Sequence, residues 1–148
     1  MAVRVQRDDF DVAAEVETLT GGRTDIGAIV TFTGRVRGNE GEIVAMTLEH
    51  YPGMTETELS RIEAEARTRW PLQASLIVHR VGELKPGENI VLVVTASAHR
   101  QAALEAAGFL MDYLKTRAPF WKKETAASGE STWVETRQGD ESAARRWS

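Results

Sequence analysis

The 148-residue chain is 42% hydrophobic and 27% charged, a size and composition at which one domain buries about two-thirds of its unfolded surface and folds without staples. It holds no cysteine, which excludes disulfides, cysteine-ligated zinc, iron–sulfur clusters, a thiol nucleophile and a persulfide carried on this chain. Eighteen Lys and Arg against 22 Asp and Glu leave a formal net charge of −4, so bulk charge does not recruit nucleic acid and any anion site has to be local.

The N-terminal residues lack the apolar core of a signal peptide, and no run approaches the roughly 18 apolar residues of a membrane span. The expectation is a cytoplasmic protein with no membrane partner. Residues 2–6 alternate as a short strand does. Residues 11–19 carry Val12, Val16 and Leu19 at helical spacing with acids at the start, and Gly21-Gly22 ends that helix. Residues 27–34, rich in β-branched and aromatic side chains, read as a largely buried strand, and 35–41 as a polar loop. In 43–51, Val44, Met46, Leu48 and His50 alternate with Ile43, Ala45, Thr47 and Glu49, the pattern of a half-buried strand.

Pro52-Gly53 forms a turn, and Thr55 with Glu58 has capping-box spacing ahead of a helical stripe of Leu59, Ile62, Ala66 and Trp70. The helix stops before Pro71, because the residue preceding a proline disfavours helical backbone. Residues 76–81 and 90–96 are two strands that read as a hairpin closed by Lys85-Pro86-Gly87. Ser97 is the expected N-cap of a long helix with Ala103, Ala107, Leu110, Met111 and Leu114 on one face, ended by Ala118-Pro119. Residues 132–136 read as a last short strand, and the sequence after about 139 as a tail with freedom to move. Hairpins mixed with helices, without regular βα repeats, predict an α+β fold in a single domain spanning 1–148.

Between Ser97 and Lys123 five cations (Arg100, Lys115, Arg117, Lys122 and Lys123) face two acids (Glu105 and Asp112), a local charge of +3 in a chain of −4. Phe120 and Trp121 lie inside this cluster, so it either holds a planar anion by charge and stacking or is a solvated helix end whose cations complement the dipole. Lys115, four residues after Met111, continues the apolar stripe and should bury its stem. It either snorkels or, with a pKa lowered by burial, acts as base, acid or amine nucleophile. Lys122 reaches the same place only if the chain turns sharply after Pro119. Arg35 and Arg37 sit in a glycine-bearing loop that suits a phosphate or carboxylate, although it matches neither a Walker loop nor a dinucleotide fingerprint. His99-Arg100 opens the long helix, where backbone amides favour an anion. His50, His79 and His99 lack ligand spacing, so no metal is expected. His50 reads as structural or peripheral.

Several phrases then stand out together: Thr31-Phe32-Thr33-Gly34-Arg35-Val36-Arg37, Leu48-Glu49-His50-Tyr51-Pro52-Gly53-Met54, His79-Arg80-Val81-Gly82-Glu83-Leu84, and Met111-Asp112-Tyr113-Leu114-Lys115-Thr116-Arg117-Ala118-Pro119-Phe120-Trp121-Lys122. With these, the chain resembles the molybdopterin synthase large (catalytic) subunit family from about Gly27 to Arg146-Trp147. The resemblance implies an α/β hammerhead fold with an added antiparallel β subdomain. It also implies a sulfurtransferase of molybdenum-cofactor biosynthesis, which converts cyclic pyranopterin monophosphate (precursor Z) to molybdopterin by installing the dithiolene sulfurs. In that family the sulfur comes as a thiocarboxylate on the C-terminal Gly-Gly tail of a small ubiquitin-like subunit, and two large subunits form the core of a heterotetramer.

By the same resemblance, Lys115 and Lys122 match the catalytic lysines. Arg35, Val36, Arg37, His99, Arg100, Lys115, Lys122, Lys123 and Glu124 match the substrate-binding positions, with no cofactor and no metal. His99-Arg100 is implied to serve the neighbouring protomer's pocket. Two rival readings stand beside this one: a non-catalytic subunit that only binds a ubiquitin-like partner, and a small anion- or RNA-binding domain using the basic and aromatic cluster.

Overall fold

The computed structural model describes residues 2–134 and 138–148, which run β1 (Ala2–Gln6), α1 (Val12–Thr20), β2 (Ala28–Arg35), β3 (Ile43–His50), α2 (Met54–Arg69), β4 (Leu72–Arg80), β5 (Gly82–Leu84), β6 (Asn89–Ser97), α3 (Arg100–Arg117), β7 (Phe120–Ala126), β8 (Ser131–Val134) and α4 (Gln138–Arg145). The strands form two four-stranded sheets, β1-β4-β6-β2 and β5-β3-β7-β8. Every pairing is antiparallel except β1 with β4. This is the expected α+β class, and the second sheet supplies an antiparallel unit.

Strands β4 and β6 are covered on both faces, which is why residues 76–78 and 90–94 are continuous apolar runs rather than alternating ones. On one face Leu76, Val78, Leu92 and Val94 pack with Phe10, Val12, Val16 and Leu19 around α1. On the other, Ile77, Val91 and Val93 join Leu59, Ile62, Phe109 and Leu110 of α2 and α3 in the main core. Each such side chain, fully buried, is worth roughly 1.5–3 kcal/mol. The two strands pair as expected, but they are not joined by a plain hairpin. The chain leaves the first sheet at Val81 and inserts β5 into the second, against Met46, Thr47 and Leu48 of β3. Gly82 makes the crossing at φ +96°, where a Cβ would stand 2.8 Å from the Arg7 guanidinium.

Several local expectations are corrected. Strand β2 is an edge rather than a buried strand, with Ile29 44% and Phe32 40% exposed; composition marks a strand but not its neighbours. The alternation of β3 is interrupted by a register shift between Ile43 and Ala45, which exposes Val44 and buries Ala45 beside Met46. Helix α2 begins at a Gly53 N-cap whose N–H donates to Glu56 Oε1 at 3.1 Å, so Glu56 and not Glu58 reaches back. Thr55 is fully buried instead: its Oγ1 accepts from Tyr51 N at 2.9 Å and donates to the Pro119 carbonyl at 3.0 Å. Ser97 ends β6 and donates to the Pro71 carbonyl at 2.8 Å, leaving His99 as the N-cap of α3 without a side-chain capping bond.

Strand β7 and helix α4 had no counterpart in the sequence reading. Of the expected strand 132–136, residues 132–134 belong to β8, and 135 and 136 lie outside the described residues. Helix α4 packs on α3, where Asp112 Oδ2 accepts from Arg146 Nη2 at 2.9 Å and from Trp147 Nε1 at 2.6 Å. Among the described residues no helix is long and apolar enough to cross a membrane.

Candidate active site

A cavity of about 360 Å³ opens where the end of β2, the last turn of α3 and the face of β7 converge. The turn between α3 and β7 creates it. Ala118 leaves the helix in extended conformation, Phe120 N donates to the Ala118 carbonyl at 2.9 Å, and Thr55 ties down the Pro119 carbonyl. The chain then runs back along β3, with Leu48 opposite Lys122 and Met46 opposite Glu124. Strand alternation puts Phe120, Lys122 and Glu124 on the cavity side. The sharp turn that Lys122 requires is therefore present, and Lys115 and Lys122 line one cavity.

Arg35 and Arg37 line the same cavity. Val36 between them is 3% exposed, donates its N–H to the Glu88 carbonyl at 3.0 Å and accepts at its own carbonyl from Gly87 N at 2.8 Å. Its place is the core, where it anchors the loop and leaves the arginines on either side free to face the cavity. Four cations and two carboxylates, Glu124 and Asp140, line the space, while Leu48, Ile90 and Leu114 supply apolar wall. Such a site accepts an anion attached to a flat, partly apolar body.

Other expected site residues lie elsewhere. Lys123 points to the opposite face of β7, with Nζ 5.5 Å from the Trp133 ring centroid. His99 and Arg100 stand at the start of α3, about 22 Å from Lys115 at 1.5 Å per residue, and do not line this cavity in the single chain. Lys115 lines the cavity yet is exposed as a residue, because the buried face of α3 ends with Tyr113 and Leu114.

His79 belongs to the cavity although no local motif marks it. It is 4% exposed at the end of β4, lines the cavity, and stacks on Phe120 with ring centroids 3.8 Å apart. Its Nδ1 lies 2.8 Å from the Arg80 carbonyl; the carbonyl only accepts, so Nδ1 carries the proton and Nε2 keeps its lone pair. Burial, with the nearby charges of Lys115, Lys122 and His50, pushes its pKa down to about 3 against the opposing pull of the Arg80 carbonyl. It is a neutral hydrogen-bond acceptor beside two lysines. A histidine ending an apolar strand run is the sequence signal for it. Among the described residues no group of three or more His, Asp or Glu side chains is placed to hold a metal ion.

Known proteins resemble this chain along nearly its whole length. The MoaE protein family model matches residues 5–117. The molybdopterin synthase catalytic subunit of Mesorhizobium japonicum is 62% identical over 146 residues, covering 98% of this chain and 92% of that one. The solved molybdopterin biosynthesis MoaE protein from Burkholderia ambifaria superposes with a TM-score of 0.84 at 50% identity, covering 99% and 98% of the two chains. The protein–protein complex of subunits 1 and 2 of molybdopterin-converting factor from Helicobacter pylori contains a chain of the same fold, with a TM-score of 0.76 at 20% identity and 91% coverage of each. With a matching family model and a relative of this identity along nearly its whole length, the chain belongs to the MoaE protein family, the family of molybdopterin synthase catalytic subunits.

Proposed function

We propose that this chain is the catalytic subunit of a cytoplasmic molybdopterin synthase, a sulfurtransferase of molybdenum-cofactor biosynthesis. Its substrate is cyclic pyranopterin monophosphate, and its sulfur donor is the C-terminal Gly-Gly thiocarboxylate of a small ubiquitin-like subunit. The observation that carries the reading is the convergence of Lys115, Lys122, Arg35 and Arg37 on one cavity of pterin size, with apolar walls. The arginines hold the phosphate, and the lysines handle protons or a covalent adduct while thiocarboxylate sulfur attacks the pterin side chain. Lys115, which is exposed, meets the incoming tail in this reading, and Lys122 and Glu124 lie along β7. An external donor suits a chain without cysteine.

The site becomes composite in a dimer of this chain. Strand β2 begins opposite Ser97, beside the start of α3, and ends at Arg35 beside the cavity. Its outer edge pairs with no strand among the described residues, and Ile29 and Phe32 are exposed on it. A two-fold axis bringing two β2 edges together antiparallel lays the start of one strand against the end of the other. His99 and Arg100 of each protomer then approach the other protomer's cavity and add a cation to its phosphate site.

The test is turnover: purified chain, thiocarboxylated small subunit and cyclic pyranopterin monophosphate, with molybdopterin as product. Lys115→Ala, folded by circular dichroism, should lose about 10²- to 10⁴-fold in rate, the usual weight of a positioned proton-transfer group, and Lys122→Ala should also be impaired. Absence of product from wild type that binds the small subunit would instead establish the non-catalytic partner-binding reading.

A further inference from the structure

Arg35 is held by two residues that line no part of the cavity. Its Nε donates to Asn89 Oδ1 at 3.2 Å. Asn89 Nδ2 in turn donates to Asp9 Oδ1 at 2.9 Å. The orientation of the Asn89 amide follows from its partners: a carboxylate only accepts and a guanidinium only donates, so the NH2 must face Asp9 and the oxygen must face Arg35.

Asp9 is itself fixed. Its Oδ1 also accepts from Phe10 N at 2.8 Å and lies 4.0 Å from Arg80 Nη1. The Asn89 bond, then the Phe10 amide and the charges of Arg80 and Arg35, hold its carboxyl below the usual carboxylate range against the effect of burial. Arg80, 8% exposed, secures both sides of the relay through the backbone: Nε donates to the Arg7 carbonyl and Nη1 to the Asn89 carbonyl, each at 3.0 Å. Three segments distant in sequence, the β1–α1 loop, the start of β6 and the end of β2, thus meet to aim one side chain.

We propose that Asp9 and Asn89 are positioning residues for Arg35. Asn89, oriented by Asp9, engages Nε of Arg35 so that its two terminal amino groups are presented to the anionic group of the substrate in the cavity. This rests on the reading of Arg35 as a phosphate-binding residue. A guanidinium held at Nε gives a directed fork, whereas a lysine at this position has no Nε–H donor to be held and offers a free-swinging point charge. The relay therefore predicts that Asn89 matters only when residue 35 is arginine.

The experiment is a double-mutant cycle in the assembled complex with thiocarboxylated small subunit, titrating cyclic pyranopterin monophosphate. Asn89→Ala should raise KM about fivefold, the equivalent of one hydrogen bond, with kcat within about twofold. In the Arg35→Lys background the same Asn89→Ala change should leave KM within about twofold. Asp9→Asn should raise KM by less than Asn89→Ala does. Because Arg80 binds the Asn89 backbone carbonyl, the alanine variant keeps that tie, and its melting temperature should stay near wild type. An equal KM rise in both backgrounds, an unchanged KM, or a fall in kcat alone would overturn the relay. Calorimetric binding of the same pterin separates this failure from that of the proposed reaction. A wild type that binds the pterin without turnover still reports the Asn89→Ala effect on affinity, and one that neither binds nor turns over overturns both readings.

Discussion

The two halves of helix α3 do different work. In the first half the buried positions are Ala102, Ala103, Ala106 and Ala107, side chains small enough to bring the helix close to β6 and β2. In the second they are Phe109, Leu110, Tyr113 and Leu114, large side chains that fill the main core between α3 and its neighbours α2 and α4, with Leu114 also lining the cavity. Phe109 alone meets Trp70, Tyr113 and Trp147 at centroid distances of 5.4, 4.4 and 5.8 Å. The small half delivers His99 and Arg100 to the free edge of the first sheet. The large half opens the space that Lys115 overlooks. One helix thus presents two parts of the expected substrate site at opposite ends, too far apart to serve one substrate within a single chain.

The largest way to break this contrast is to make the second half small. Phe109→Ala should cost roughly 3–5 kcal/mol of stability by denaturant titration, the range for deleting a fully buried aromatic side chain. Ala103→Gly, in the first half, should cost only about 1 kcal/mol. Comparable losses at the two positions would remove the distinction.

A smaller effect sharpens the functional side of the comparison. Arg100→Ala should reduce turnover about tenfold to a hundredfold, the worth of a charged hydrogen bond. Mixing Arg100→Ala chains with Lys115→Ala chains and allowing exchange should restore about a quarter of wild-type activity. Half the dimers are then mixed, and each mixed dimer holds one intact composite site. Activity no higher than the sum of the parents would place Arg100 in its own chain's site or outside the site.

A pH-dependent effect concerns His79 in the cavity lining. His79 has a folded-state pKa of about 3 against an ordinary value of 6.5, so the unfolded chain takes up this proton first as the medium acidifies. The stability it confers is whole above pH 6.5 and is lost at about 1.4 kcal/mol per pH unit as pH falls from there toward 3. His79→Phe, which keeps the ring stacked on Phe120, should unfold with a pH slope about that much shallower between pH 6 and 4. Identical slopes would mean that the folded-state ring is not held neutral.

Part of the site was legible in the sequence because it is local chemistry. Arg35 and Arg37 flank a β-branched residue that wants the core, and a glycine follows them. Lys115 and Lys122 stand on either side of an Ala-Pro stop. The part that escaped depends on neighbours far along the chain. Strand β7 is a strand because β3 pairs with it across 70 to 83 residues, and its own segment, Phe-Trp-Lys-Lys-Glu-Thr-Ala, carries no clear alternation. His79 matters because Phe120 lies on it, and Asn89 because Asp9, 80 residues away, turns its amide.

By itself the sequence determined the periodic elements, the helix stops at Gly21, Pro71 and Pro119, the α+β class, and the placing of Lys115 and Lys122 on either side of the Pro119 stop. Those are consequences of backbone sterics and side-chain spacing, which act over a few residues. Only the tertiary structure decided that β2 is an edge, that the chain switches sheets at Gly82, that His99 and Lys115 point to different places, and that a histidine in the cavity stays neutral. Burial, strand pairing and low local dielectric are properties of the assembled fold, and no stretch of the chain carries them alone.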